Sequence, residues 1–399
     1  MTKTKIVIAT QRMMMGGIEK ALISMLEQIP KDIFDVTLLV AHPGGELFDR
    51  IPNHVKVKTI FENDSRITKT MFDYMIKGRL IKSLIILINA FLLRLGTKSE
   101  FEAGVFYSRA SRMEERDYDV AISFSGSFSL PVVYVPKNIN ANKKILWIHS
   151  DLGKIDSKEH RLLIKKLNKY YRLFDNILCV SNHTLKQFNK VFPKLKNEKI
   201  VFYNILNKDK IKKLSMEGES FHDSFMGVRI LTVGRLGEEK GQDIIPSILL
   251  RLLADGYNVR WYCIGGDYGF QKQLKRIVND NRLGNNLILM GTKQNPLPFI
   301  KDCDLYIQPS RYESYCLTVA EARSLNKPII TTNTGASEQI EHEKTGLVVE
   351  FDELQIYESI KRLLNDEPLK ERLINNLAKE SINTTSEMEK LYRIIGKTS

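Results

Sequence analysis

The sequence predicts an α/β fold built from two doubly wound, Rossmann-like domains. Three observations carry that expectation. Short apolar runs alternate with helix-forming stretches, the pattern of parallel sheets covered by helices. The alternation pauses over a polar, weakly periodic stretch at 207–227 and then restarts. A chain of 399 residues is also long enough for two full cores. The expected domains are 1–206 and 207–383, with a terminal helix near 384–399 that packs back on the first.

In the first half, 4–9 reads as a strand, 11–17 as a loop and 18–28 as a helix. Gly16 and Gly17 let the loop backbone turn tightly or approach a ligand, and Glu19 sits in the first helical turn. Strands follow at 36–40 and 119–124, and a third ends on His149. The stretch 158–174 is a helix with a basic face of Lys165, Lys166, Lys169 and Arg172. A strand at 176–180 leads through Ser181 into a helix at 185–191, and a strand at 199–202 ends near Asn204. In the second half, strands are expected at 228–233, 259–264, 287–290, 305–307, 328–331 and 347–349. Helices fall at 243–254, 270–279, 298–301, 318–325, 354–364, 369–379 and near 386–394. In such sheets ligands bind at the carboxyl ends of the strands.

Charge is unevenly placed. Residues 1–200 hold 33 basic and 20 acidic side chains, residues 201–399 hold 27 of each, so the whole excess of +13 belongs to the first half. That half suits an anionic surface or carries a lysine-rich solvated face. Nucleic acid is not expected, since no recognition helix or aromatic stacking motif accompanies the charge. The stretch 77–95 is apolar with basic flanks, and its uncharged part, 83–93, is shorter than the ~20 residues that span a bilayer. It reads either as a buried helix or as a basic amphipathic helix lying on an anionic membrane. The four cysteines are scattered, which fits a reducing cytosol, and no signal peptide is expected ahead of the first strand. No histidine pair has metal-ligand spacing, and Asp302-Cys303-Asp304 lies at a strand entrance, so no metal or other cofactor is expected.

The stretch 310–321 calls for a chemical explanation. A strand ends, the chain turns through Glu313, and a helix starts that carries Glu321. Backbone N–H groups near Tyr315, Cys316 and Leu317 would be the donors of that helix start, a site for anionic oxygen. Carboxylates accept from hydroxyls while amides and cations hold phosphate, so the loop suits a ligand that is part sugar and part phosphate. Another strand runs into Gly234–Gly241, where Arg235 and Lys240 sit in one glycine-bracketed turn and are placed to neutralise a departing diphosphate. Gly265 ends the next strand without dinucleotide-fingerprint spacing, and Thr292 and Lys293 are placed to border a nucleobase.

These residues together resemble the retaining glycosyltransferases of the GT-B fold, family four. The resemblance rests on Val233-Gly234-Arg235-Leu236 with Lys240-Gly241, and on Glu313 and Glu321. It extends to Gly16-Gly17-Ile18-Glu19, His149, Val180-Ser181, Asn204 and Pro309-Ser310. Glu313-Ser314-Tyr315-Cys316 departs from the commoner Glu-Gly-Phe-Gly form. The flavour is that of bacterial enzymes building capsular or extracellular polysaccharide. The resemblance implies two domains facing across a cleft and transfer of a hexose, most readily from a UDP-sugar, to a glycan on a polyprenyl diphosphate carrier. It implies that Arg235, Lys240, Glu313 and His149 act in catalysis. Gly16, Gly17, Gly265, Thr292, Lys293, Ser314, Tyr315, Cys316, Leu317 and Glu321 would bind the donor, with Glu19, Ser181 and Asn204 on the acceptor side. The enzyme would work without metal in the cytoplasm, against the inner face of the membrane. A nucleotide-sugar epimerase of the same fold and a non-catalytic partner of a glycosyltransferase are the alternatives.

Overall fold

The computed structural model describes residues 2–60, 117–152, 158–380 and 384–396, together with 76 and 84. The stretch 77–95, apart from residue 84, lies outside the described residues. Two compact units emerge, Met1–Ile205 with Ser386–Ser399, and Leu206–Thr385.

The first unit holds a seven-stranded parallel sheet. Its strands are β1 (Thr4–Thr10), β2 (Phe34–Val40), β3 (Lys56–Thr59), β4 (Tyr118–Ser125), β5 (Ala141–Ile148), β6 (Asn176–Cys179) and β7 (Glu198–Val201). They lie in the order β3-β2-β1-β4-β5-β6-β7. Successive residues Ile6, Val7 and Ile8 are all buried, as expected of a strand covered on both faces. Among the described residues its helices include α1 (Gly17–Glu27), α2 (Leu130–Asn138), α3 (Lys158–Tyr171) and α4 (Asn182–Val191). Helix α3 buries Leu167, Tyr170 and Tyr171 and exposes Lys165, Lys166 and Lys169, the basic face expected. Helix α2 was not predicted: Pro131, Pro136 and three valines argue against a helix, but Val132, Val133 and Val135 are wholly buried. Burial overrides propensity there.

The second unit holds a six-stranded parallel sheet of β8 (Val228–Val233), β9 (Val259–Ile264), β10 (Leu287–Leu289), β11 (Leu305–Gln308), β12 (Ile329–Thr332) and β13 (Leu347–Val349). The order is β10-β9-β8-β11-β12-β13. The order reverses between β8 and β11, the kind of position at whose strand carboxyl ends such sheets place a ligand. Helices α5 (Lys208–Leu214), α6 (Ile245–Ala254), α7 (Gln271–Asp280), α8 (Leu297–Asp302), α9 (Leu317–Ser324), α10 (Glu353–Asn365) and α11 (Glu367–Lys379) cover the sheet. Its core gathers Trp261, Leu249, Ile307 and Ile360.

The stretch 207–227, expected as a connection, is packed structure. Asn207 caps α5 through Lys210 N at 2.9 Å. Phe221 lies 4.5 Å from the Tyr262 ring, and Asp223 takes Arg229 at 2.8 Å and Arg260 at 2.9 Å. Its polar residues pair with charges at the strand entrances, which periodicity cannot reveal. The last helix, α12 (Glu387–Ile395), returns to the first unit, where Tyr392 stacks on Phe34 at 5.4 Å and Glu387 accepts from Tyr203 N at 3.0 Å.

Candidate functional site

Two loops leaving β8 and β11 meet at the point where the strand order reverses. The first carries Arg235 and, in a 3-10 turn, Lys240; the second carries Ser310, Arg311 and Glu313. Their approach is fixed by backbone contact. Arg311 N donates to Glu239 O at 2.9 Å, and the Arg311 guanidinium grips Asp243 with two bonds of 2.6 Å while lying 4.3 Å from the Phe351 ring. Gly241 has φ +68°, and a Cβ there would collide with the Pro309 carbonyl. Only glycine allows both the turn and that approach.

Across this junction Lys240 Nζ donates to Glu313 Oε1 at 2.7 Å. The side chains are 18% and 8% exposed, so the pair is substantially withdrawn from water. Burial works against the Lys240 ammonium, yet the adjoining Glu313 carboxylate prevails and holds its pKa above the usual value. The nearby Arg235 charge opposes this, so both cations act on one region. Arg235 itself is half exposed, stacked on Tyr268 at 4.4 Å and loosely paired with Glu239 at 3.4 Å. Gln242, wholly buried, holds the turn by donating to Arg235 O at 2.9 Å.

Glu313 is held from below by a buried relay. Tyr306 donates to Gln308 Oε1 at 2.8 Å, Gln308 Nε2 donates to Ser310 Oγ at 2.9 Å, and Ser310 donates to Glu313 Oε1 at 2.8 Å. Both bonds to the carboxylate fall on Oε1. After β12 the chain returns to the same loop, where Gly335 N donates to Glu313 O at 2.9 Å. Gln339 Nε2 donates to the carbonyls of Tyr315 and Cys316, the latter at 3.1 Å. Tyr315 is buried, Ser314, Leu317 and Glu321 are half-buried, and Leu317 opens α9. Cys316, at the head of α9, adopts φ +68° and ψ 89°.

Gly265 closes β9, and a Cβ there would strike the Gly234 carbonyl, so it supports the Arg235 loop directly. Thr292 is exposed. Lys293 pairs with Glu219 at 2.9 Å and lies 5.6 Å from the Phe299 ring, which ties this strand end to the stretch 207–227. Asp304 accepts from Arg229 N at 2.7 Å, a strand-entrance contact.

The remaining expected site residues belong to the first unit, at carboxyl ends of its strands. Gly16 precedes α1, and the Glu19 carboxylate occupies the space a Cβ on Gly16 would need, while Gly17 is open. Ser181 is buried as the cap of α4, accepting from Thr184 N at 3.0 Å, and Asn204 is buried past β7. His149, just past β5, lies 4.3 Å from the Phe124 ring. Its Nε2 is shut off from solvent and has no hydrogen-bond partner among the described residues. Burial pushes its pKa down to about 3, so the imidazole is neutral at physiological pH.

Gln242, Gln308, Arg311, Asp243, Gly335 and Gln339 hold the second-unit site in place, and sequence reasoning singled out none of them. Gly335 was the one with a local signal, a glycine between a strand end and a turn.

Residues 226–380 match the family described as "Glycosyl transferases group 1". An uncharacterised glycosyltransferase of Methanocaldococcus jannaschii is 30% identical over 217 residues, which cover 51% of this chain and 52% of the relative. The capsular polysaccharide biosynthesis glycosyltransferase CapM of Staphylococcus aureus is 28% identical over 263 residues, covering 61% of each chain. The chain thus spans about half to three fifths of the length of these curated relatives. Among solved structures, Anabaena HepE in complex with UDP superposes with a TM-score of 0.68 at 16% identity, covering 98% of this chain and 100% of that one. That likeness extends the shared two-domain fold to nearly the full length.

Proposed function

We infer, from a second unit whose residues 226–380 match the glycosyl transferases group 1 family, that this chain transfers a hexose from a nucleotide diphosphate sugar. The observation that carries this reading is the Lys240–Glu313 contact at the β8/β11 reversal, with Arg235 beside it. Two cations and a carboxylate converge there, which is what a ligand with a diphosphate at one end of its sugar requires.

In this reading the diphosphate lies against Lys240, Arg235 and the first N–H groups of α9, which have no intrahelical partner. Glu313 Oε1 is committed to Lys240 and Ser310, so Oε2 is the oxygen offered to a sugar hydroxyl. Half-buried Glu321 is offered to the ribose hydroxyls. Transfer breaks the bond between the anomeric carbon and the diphosphate oxygen, whose electron pair leaves with the nucleotide. The acceptor hydroxyl oxygen forms the new bond on the same face, and its proton passes to the departing diphosphate. The anomeric configuration is then retained without a protein base. Lys240 and Arg235 stabilise the charge that develops on the leaving group, so the reaction proceeds without a metal. His149 of the first unit, being neutral, is suited to a hydrogen bond with a hydroxyl and not to the role of a cation.

The acceptor we propose is a glycan on a lipid diphosphate carrier in cell-surface polysaccharide synthesis. The basic first half and the exposed lysines of α3 support it, as does similarity to a capsular glycosyltransferase. Each Lys or Arg near an anionic surface contributes ~1 kcal/mol of attraction. No helix among the described residues is long and apolar enough to cross a membrane. The reading is tested with a panel of uridine, guanosine and adenosine diphosphate sugars, scored for thermal stabilisation and for sugar release with and without chelator. Proton NMR of the product gives the anomer. Absence of turnover with every donor would sink the enzyme reading, and an inverted product would sink retention.

A further inference from the structure

A cysteine in the left-handed region is an anomaly that its neighbours explain. Cys316 stands at φ +68° immediately before α9, where a Cβ crowds the following carbonyl. Glycine takes that conformation freely; cysteine must be held in it. Gln339, buried after β12, does the holding by donating from one amide nitrogen to the carbonyls of residues 315 and 316. Gly335 secures the other end of the loop through Glu313 O, and any side chain there would collide with the carbonyls of Glu313 and Ser314. The Cys316 thiol lies within the influence of both Glu313 and Lys240, so the loop that Gln339 restrains borders the cation site.

We propose that Gln339 is a positioning residue for nucleoside diphosphate binding: its amide locks the carbonyls of Tyr315 and Cys316 and thereby aims the first N–H groups of α9 at the diphosphate. This rests on the donor reading above. Without the clamp, residue 316 relaxes toward ordinary backbone angles and the N–H groups turn away. The clamp is needed because residue 316 is not glycine. A glycine there makes it redundant, which a merely structural role for Gln339 does not predict.

The experiment is calorimetric titration of UDP into the full-length protein and its variants Q339M, C316G and C316G/Q339M, each checked by circular dichroism. Q339M is expected to weaken UDP binding roughly tenfold, the free energy of forcing an L-residue left-handed. In the C316G background the same change is expected to cost less than about threefold, since glycine needs no restraint. Should Q339M fail to fold, Q339E, which keeps the shape but loses the donating amide, carries the same comparison. An unchanged affinity in Q339M overturns the proposal, and so does an equal loss in both backgrounds. If the unaltered protein binds neither UDP, GDP nor ADP, the donor reading falls and this proposal falls with it.

Discussion

Removing the charge of Lys240 is the most informative perturbation of the second unit. At 2.7 Å, with an effective dielectric constant of about 20, the gross attraction to Glu313 is roughly 6 kcal/mol. Exposures of 18% and 8% mean that desolvation takes back much of this. Lys240→Met leaves a poorly hydrated Glu313 carboxylate with only the Ser310 bond on Oε1, and should destabilise the unit by about 2–4 kcal/mol. Glu313→Gln keeps an acceptor for Lys240 and should cost about 1–3 kcal/mol. The double variant strands neither charge, so its cost should fall short of the sum by at least ~1.5 kcal/mol. The assay is urea unfolding followed by fluorescence in a Trp147→Phe background, where Trp261, fully buried in the second unit, is the remaining tryptophan. Because the folded pKa of Lys240 lies above 10.5, its stabilisation is complete below that pH and is lost only as pH rises through the folded value. The difference between wild type and Lys240→Met should therefore be flat from about pH 6 to 9. Additivity of the single variants to within about 0.5 kcal/mol would refute the coupling.

Other consequences follow from the same geometry. Arg235→Ala should leave stability within ~0.5 kcal/mol, because its ion pair is exposed, yet lower turnover ~10²–10³-fold; a steady-state assay beside a melting curve separates the two. Gly335→Ala places a Cβ against the carbonyls of Glu313 and Ser314 and should cost about 1–3 kcal/mol together with UDP affinity, read by melting and calorimetry. His149, with a folded pKa near 3 against 6.5 unfolded, favours the neutral form. Stability should therefore fall as pH drops from 6.5 toward 3, and His149→Asn should flatten that limb, measured as urea midpoints at pH 7 and 5. Equal slopes in the two proteins would remove the buried-imidazole account.

The strands were legible because parallel strands buried on both faces read as apolar runs such as Ile6-Val7-Ile8 and Tyr306-Ile307. Helix α2 was not, since its prolines and valines speak for extended structure and only burial decides otherwise. Strand β3 is an exposed edge with Lys56 and Lys58, too short to give a pattern. Lys240 and Glu313 could be found because each follows a strand in a loop with glycine or a helix start. Their supports could not: Gln339 acts on carbonyls 23 and 24 residues away, and Arg311 on an aspartate 68 residues away. Lys293 is a further case: the cation at a strand end is visible, but its partner Glu219, 74 residues away on a stretch that reads as a connection, is not.

Lys240, Arg235 and the start of α9 are the groups proposed to hold a diphosphate. Parallel titrations of uridine, UMP and UDP into the full-length protein and into the R235A/K240M variant test that role directly. UDP should bind at least about tenfold more tightly than uridine, with most of that preference gone in the variant. Equal affinity for uridine and UDP, or a preference that survives loss of both cations, would contradict that role.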